Sequence, residues 1–109
     1  MDIKEKIMLA AVKYVKHIGY DLISPDFLDE GLIVAKNDDN IVFIDVFDGF
    51  KEDESMTREY FEQLARRFLE EHPEFVDMFV RYDIICLDVI SESRAFLRHH
   101  INAQHDWSI

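Results

Sequence analysis

Cysteine is almost absent from this 109-residue chain: Cys86 stands alone, inside the apolar run IICLDVI. A single thiol makes no internal disulfide, and its surroundings predict a buried strand position with no catalytic role. Proline occurs twice and glycine three times, so no flexible linker or low-complexity segment divides the chain. No apolar run approaches the roughly 18 residues that cross a bilayer as a helix. The opening MDIKEKIMLAAVKYV carries the charges of an amphipathic helix and no small-residue cleavage site, so no signal peptide and a reducing, cytoplasmic setting are expected. Positive charge is scarce as well. Twelve Lys and Arg face 23 Asp and Glu, a net charge of -11. Phosphate backbones are held by Lys and Arg through release of counterions, so a surface this acidic argues against bare nucleic acid as a partner.

What is present is an ordinary folding composition, 49% hydrophobic and 32% charged, at a length that supports one core and one domain. Charge is unevenly spread. Residues 1–20 carry four Lys against Asp2 and Glu5, whereas residues 21–55 carry eleven acids against Lys36 and Lys51. Ile3, Ile7, Ala10, Ala11, Tyr14 and Ile18 recur at helical spacing, which predicts a helix over 2–18 stopped at Gly19. Residues 20–24 read as a short strand ended by Pro25. Residues 31–36 and 41–47 read as two strands, joined through the turn signal Asn37-Asp38-Asp39-Asn40.

By the two-residue strand period, Ile41, Phe43 and Asp45 share one face and Val42, Ile44 and Val46 the other. Both faces are mostly apolar, which predicts a central strand covered on both sides. A second helix is expected from Ser55 or Thr57 to Pro73, with Met56, Tyr60, Leu64 and Phe68 in its core stripe. Residues 76–80 are compatible with a helical turn or the approach to a strand. Residues 82–90 read as a strand, and 95–103 as a last strand or a helix. The expected class is α/β, a mixed sheet in the order α-β-β-β-α-β-β.

This order and several local patterns resemble the YraN-type family, a widespread bacterial group with a restriction-endonuclease-like fold. Tyr14 with Gly19-Tyr20 matches the family's first helix and its exit, and Leu22-Ile23 the strand that follows. Leu32 to Phe47 fits the family's GEIDLIA…VFVEVK hairpin without a gap. Ala65 to Leu69 fits the second helix, Tyr82-Asp83-Ile84 the RFDV strand, and His99/His100-Ile101-Asn102-Ala103 an HIRNA-like end. The resemblance spans nearly the whole chain.

In such nucleases an Asp on one strand and a Glu-X-Lys on the next hold a divalent metal and activate water. The resemblance places Leu32 at the Asp position, Asp45 at the Glu position and Phe47 at the Lys position, while a helix Glu of many members falls at Met8. Glu30 matches a family Glu two positions before the missing Asp. The Arg-rich loop before the hairpin is shortened to Leu28-Asp29-Glu30. Leucine and phenylalanine neither ligate a metal nor polarise water. The resemblance therefore implies a catalytically degenerate nuclease-fold domain, serving as an interaction module for a protein partner or a second copy, with no membrane role. No cofactor is expected. The alternative is a Mg- or Mn-dependent DNA endonuclease with a rearranged site, using Glu30, Asp45 and a migrated Lys36 or Lys51.

Further groups weigh on function. Asp45 interrupts an apolar strand and needs a partner, either a metal or a simple hydrogen-bond donor. His99, His100 and His105 are expected at the surface, since adjacent strand histidines point to opposite faces and no zinc-like spacing accompanies them. Arg94 and Arg98 beside Phe96 are expected to act as ion-pair partners. Phe27, Phe47, Gly49 and Phe50 either cap the core or form a docking surface for a partner, as does the tail Trp107-Ser108-Ile109.

Overall fold

The hairpin at the centre of the sequence forms the centre of the sheet. The computed structural model describes residues 3–24, 31–49 and 57–103. Glu30, Phe27, Phe50, Lys51, Met56, His105 and the Trp107 tail, all weighed from the sequence, lie outside those residues. β2 (Leu32–Asn37) and β3 (Asn40–Asp48) pair antiparallel across a two-residue turn, with Leu32 opposite Asp45 and Asn37 opposite Asn40. Asp38 takes the turn's left-handed position, φ 53°, which Asp tolerates because its short polar side chain bonds locally.

Around the hairpin stand β1 (Asp21–Ser24), β4 (Phe79–Ser91) and β5 (Arg94–His100), in the spatial order β1-β2-β3-β4-β5. β3 and β4 run parallel and every other pair antiparallel, so the sheet is mixed. The parallel pair requires a crossover, supplied by α2 (Arg58–Glu71) and a 3-10 turn at Pro73–Phe75. The ambiguous residues 76–80 resolve into a turn and the start of β4. Residues 94–100 are strand and not helix.

α1 (Ile3–His17) ends as its sequence predicts. The Gly19 amide donates to the Lys16 carbonyl at 3.1 Å and the Tyr20 amide to the Val15 carbonyl at 2.9 Å. This is the doubly bonded left-handed stop that glycine permits, with φ 93° at Gly19. It delivers Tyr20 to the sheet. α2 starts at Thr57, whose hydroxyl accepts the Tyr60 amide at 3.2 Å.

The period-2 pattern of β3 separates two buried layers as expected. On one face Ile33, Ala35, Val42, Ile44, Ile85 and Leu87 meet Ile7, Ala11 and Val15 of α1. On the other, Leu32, Val34, Ile41, Phe43, Tyr82, Ile84 and Cys86 meet Phe61, Leu64, Ala65 and Phe68 of α2. Phe43 sits edge-on between Phe61 and Phe68, with ring centres 5.8 and 5.5 Å away. Cys86 is buried, as its apolar context requires.

Phe43 is fully buried and Phe96 is 64% exposed, which makes them a matched test of where the core lies. Phe43→Ala is expected to lower the unfolding free energy by roughly 3–5 kcal/mol and Phe96→Ala by under about 0.5 kcal/mol. Urea denaturation of the two variants checks both values, and comparable losses would contradict this layering.

Candidate functional sites on the two faces of the sheet

Two of the carboxylates that interrupt apolar strands, Asp45 and Asp83, sit on opposite faces. Asp45 of β3 lies on the α2 face, half-buried, directly opposite Leu32. The Tyr82 hydroxyl donates to its Oδ2 at 2.8 Å, so a phenol is among its donors. Phe47, two residues on and on the same face, packs against the buried α2-side cluster. The hairpin thus brings Leu32, Asp45 and Phe47 together on one face.

Met8 is not among them. It packs against the cluster beneath α1, on the other side of the sheet. Lys36 lies at the turn end of β2, four residues along the strand from Asp45's partner Leu32, or about 13 Å at ordinary strand rise. Among the described residues no group of three or more His, Cys, Asp or Glu is placed to hold a metal ion.

The second carboxylate is the more elaborately held. Asp83 of β4 has no exposed surface and is the single buried charged residue among those described. Its Oδ1 accepts the Arg81 Nε at 2.9 Å and the Asn102 amide at 2.9 Å. Its Oδ2 accepts a second Arg81 nitrogen at 3.0 Å and lies 2.8 Å from His99 Nε2. Tyr20 donates to the same oxygen over a long 3.5 Å.

Around this core stands a ring of further bonds. Arg81 donates to the Tyr20 hydroxyl at 2.6 Å and to Asn37 Oδ1 at 3.1 Å. The Arg81 guanidinium carbon also lies 5.5 Å from the centre of the Tyr20 ring. The Tyr14 hydroxyl stands 3.0 Å from His99 Nδ1. Facing a carboxylate, His99 Nε2 carries the proton, so a neutral ring accepts the Tyr14 hydroxyl at Nδ1.

Burial alone pushes the Asp83 carboxyl up. Hydrogen bonds from His99, Arg81 and the Asn102 amide, with the Arg81 charge, outweigh it and hold the group below the ordinary aspartate value. Burial first, and the Asp83 charge second, raise Tyr14 and Tyr20 above the usual phenol range. Neither phenol is therefore poised as a nucleophile near neutrality. The arrangement is a fully satisfied ionic knot: it can fix geometry and carry a hydrogen-bonded chain from Asp83 through His99 to Tyr14.

The expectation that the C-terminal histidines are surface groups is corrected at His99, whose side chain is only 6% exposed. β5 pairs His99 with Ile85 and His100 with Ile84, so the two rings do point to opposite faces. His99 is the one turned onto the buried α1 layer. Arg94 and Arg98 remain exposed on β5.

Sequence patterning did not single out this knot. Its readable signal is the same as for Asp45, an acid within an apolar strand, with Arg81 two residues earlier on the same face. Tyr20 and His99 are distant in sequence and give no local sign of converging. The sequence matches no family model and no curated protein.

Because the folded chain binds the Asp83 proton more weakly than the unfolded chain, stability is complete above the unfolded aspartate value of about 3.9. It falls as pH drops through the lower folded value. Asp83→Asn leaves Arg81 half-buried without its counter-charge and is expected to cost roughly 3–5 kcal/mol at neutral pH. It should also flatten the loss of stability below about pH 4. Denaturant titrations across an acid series check both effects, and an unchanged acid slope would remove Asp83 from this role.

Proposed function

We propose that this chain is a restriction-endonuclease-like domain whose metal site has lapsed and which serves as an interaction module for another protein. The observation that carries the reading is the company of Asp45. Its cross-strand partner is Leu32, its same-face successor is Phe47, and its carboxylate is bonded to Tyr82. A divalent cation of the Mg type demands several oxygen ligands in near-octahedral array. At the positions where the resemblance puts a ligand and a catalytic cation, this face offers an isobutyl group and a benzyl ring. The α-β-β-β-α-β-β order supports the same comparison, and the net charge of -11 disfavours a polyanionic substrate. Fold likeness alone does not fix function, so the argument rests on the substituted residues.

The opposing reading, a Mg- or Mn-dependent endonuclease that uses Glu30, Asp45 and a relocated lysine, makes a separable prediction. In a Mn²⁺ titration of the isotope-labelled protein, the lapsed site should give only diffuse paramagnetic broadening over the acidic surface at millimolar metal. Broadening centred on Asp45 at micromolar metal, and lost in Asp45→Asn, would reinstate a metal site and overturn the proposal.

A further inference from the structure

On the α1 face, away from Asp45, the sheet extends past its helix. The far end of the β4–β5 hairpin and the flank of α1 enclose an open groove of about 770 Å³. Its apolar lining comes from Leu9 and Ala10 of α1 on one wall and from Val89, Ala95 and Leu97 of the hairpin on the other. Leu9 is 52% exposed, a large aliphatic side chain left facing solvent. The rim is cationic: Lys6 and Lys13 stand on the helix wall and Arg94 on the hairpin wall, against Glu92 alone. In a chain of net charge -11 this is a local reversal of sign.

We propose that this groove docks an acidic amphipathic helix of a partner protein. Charge complementarity selects the sign, because a rim with three cations and one anion is matched by carboxylates. The spacing selects the shape. Lys6 and Lys13 are seven residues apart, two turns along one edge of α1, or about 10.5 Å. Leu9 and Ala10 lie between them. A helix laid beside α1 presents its own apolar edge to Leu9, Val89 and Leu97 and places carboxylates two turns apart against the lysines. A third carboxylate on its other flank reaches Arg94.

An acyl chain with one anionic head meets only one of these separated cations. A strand added to the outer edge of β5 would pair beside the groove and leave the Lys6 and Lys13 wall unmet, so β-addition does not use this site. A second copy of the chain offers no suitable helix among the described residues, since the apolar stripes of α1 and α2 are already packed on their own sheet.

The test uses the full chain, isotope-labelled, and a blocked peptide of about 18 residues, long enough to form helix, with Leu at core spacing and Glu on both flanks. Saturable amide shifts confined to residues 6–13 and 89–97 are expected. The exposed double variant Lys6→Glu/Lys13→Glu should keep the remaining spectrum and weaken binding roughly tenfold. The same peptide with Lys in place of Glu should not bind. Equal binding of the Lys peptide, or shifts spread over the surface, would overturn the proposal. So would groove shifts caused by myristate but not by the Glu peptide, or by raising the protein concentration alone. Since Asp45 lies on the other face, none of these outcomes bears on the lapsed metal site.

Discussion

The architecture depends on one buried charge. A carboxylate removed from water is tolerated only with its lone pairs filled and its charge met, and Asp83 meets both conditions through groups from separate parts of the chain. Arg81 comes from its own strand, His99 from the neighbouring edge strand and the Asn102 amide from the turn after that strand. Tyr20, delivered by the glycine stop of α1, closes the set from across the sheet. The Asn102 bond fixes where β5 ends. Asn102 adopts φ 57° as the chain leaves β5, and the Ala103 amide then returns to the Tyr82 carbonyl at 2.6 Å. An edge strand that would otherwise be held on one side only is thereby tied to the centre of the domain.

The three residues Arg81-Tyr82-Asp83 serve both faces at once. Alternation along β4 turns Arg81 and Asp83 toward α1 and Tyr82 toward α2. Tyr82 packs its ring against Phe61, centres 5.2 Å apart, and spends its hydroxyl on Asp45. Asp45 and Asp83 thus have donors from the same strand segment, one neutral and one charged. The chemical difference follows from burial. Asp45 keeps partial access to water and one phenol is an adequate direct donor, whereas Asp83 has none and takes a guanidinium fork, an imidazole and an amide.

The sequence was informative wherever the decisive contacts are local. The turn Asn37–Asn40, the glycine stop at Gly19, the Thr57 cap and the two-sided β3 strand all follow from a few adjacent residues, and each stands where patterning puts it. Residues 76–80 and 95–103 were ambiguous because short apolar stretches carry no decisive period; the pairing of Phe79 and Val80 with β3 and of residues 94–100 with β4 settles the strands. His99 was misread for a related reason. A histidine beside another histidine near the end of a chain looks solvated until the strand register turns one ring onto Asp83, sixteen residues away. The acid within an apolar run was a sound signal in both cases, but it points to a partner without identifying one.

The two faces also divide the molecule's surface chemistry. Residues 21–55 hold most of the excess acid, while the four lysines of the first twenty residues sit along α1, and two of them, Lys6 and Lys13, border the hairpin groove. A protein of one net sign keeps such a local reversal only weakly screened at distances of a Debye length or less, about 8 Å under physiological salt. The groove cations line the site itself, so they steer a ligand that is already close rather than one in bulk, where the overall negative field dominates. Recognition on this face then depends on short-range fit: apolar contact along α1 and the hairpin, with charge setting the register. On the α2 face the same logic acts in the opposite direction, because Asp45 lies between apolar neighbours and accepts from the Tyr82 hydroxyl. A single sheet therefore presents two surfaces with different demands on whatever meets them, and the buried knot at Asp83 holds both in register.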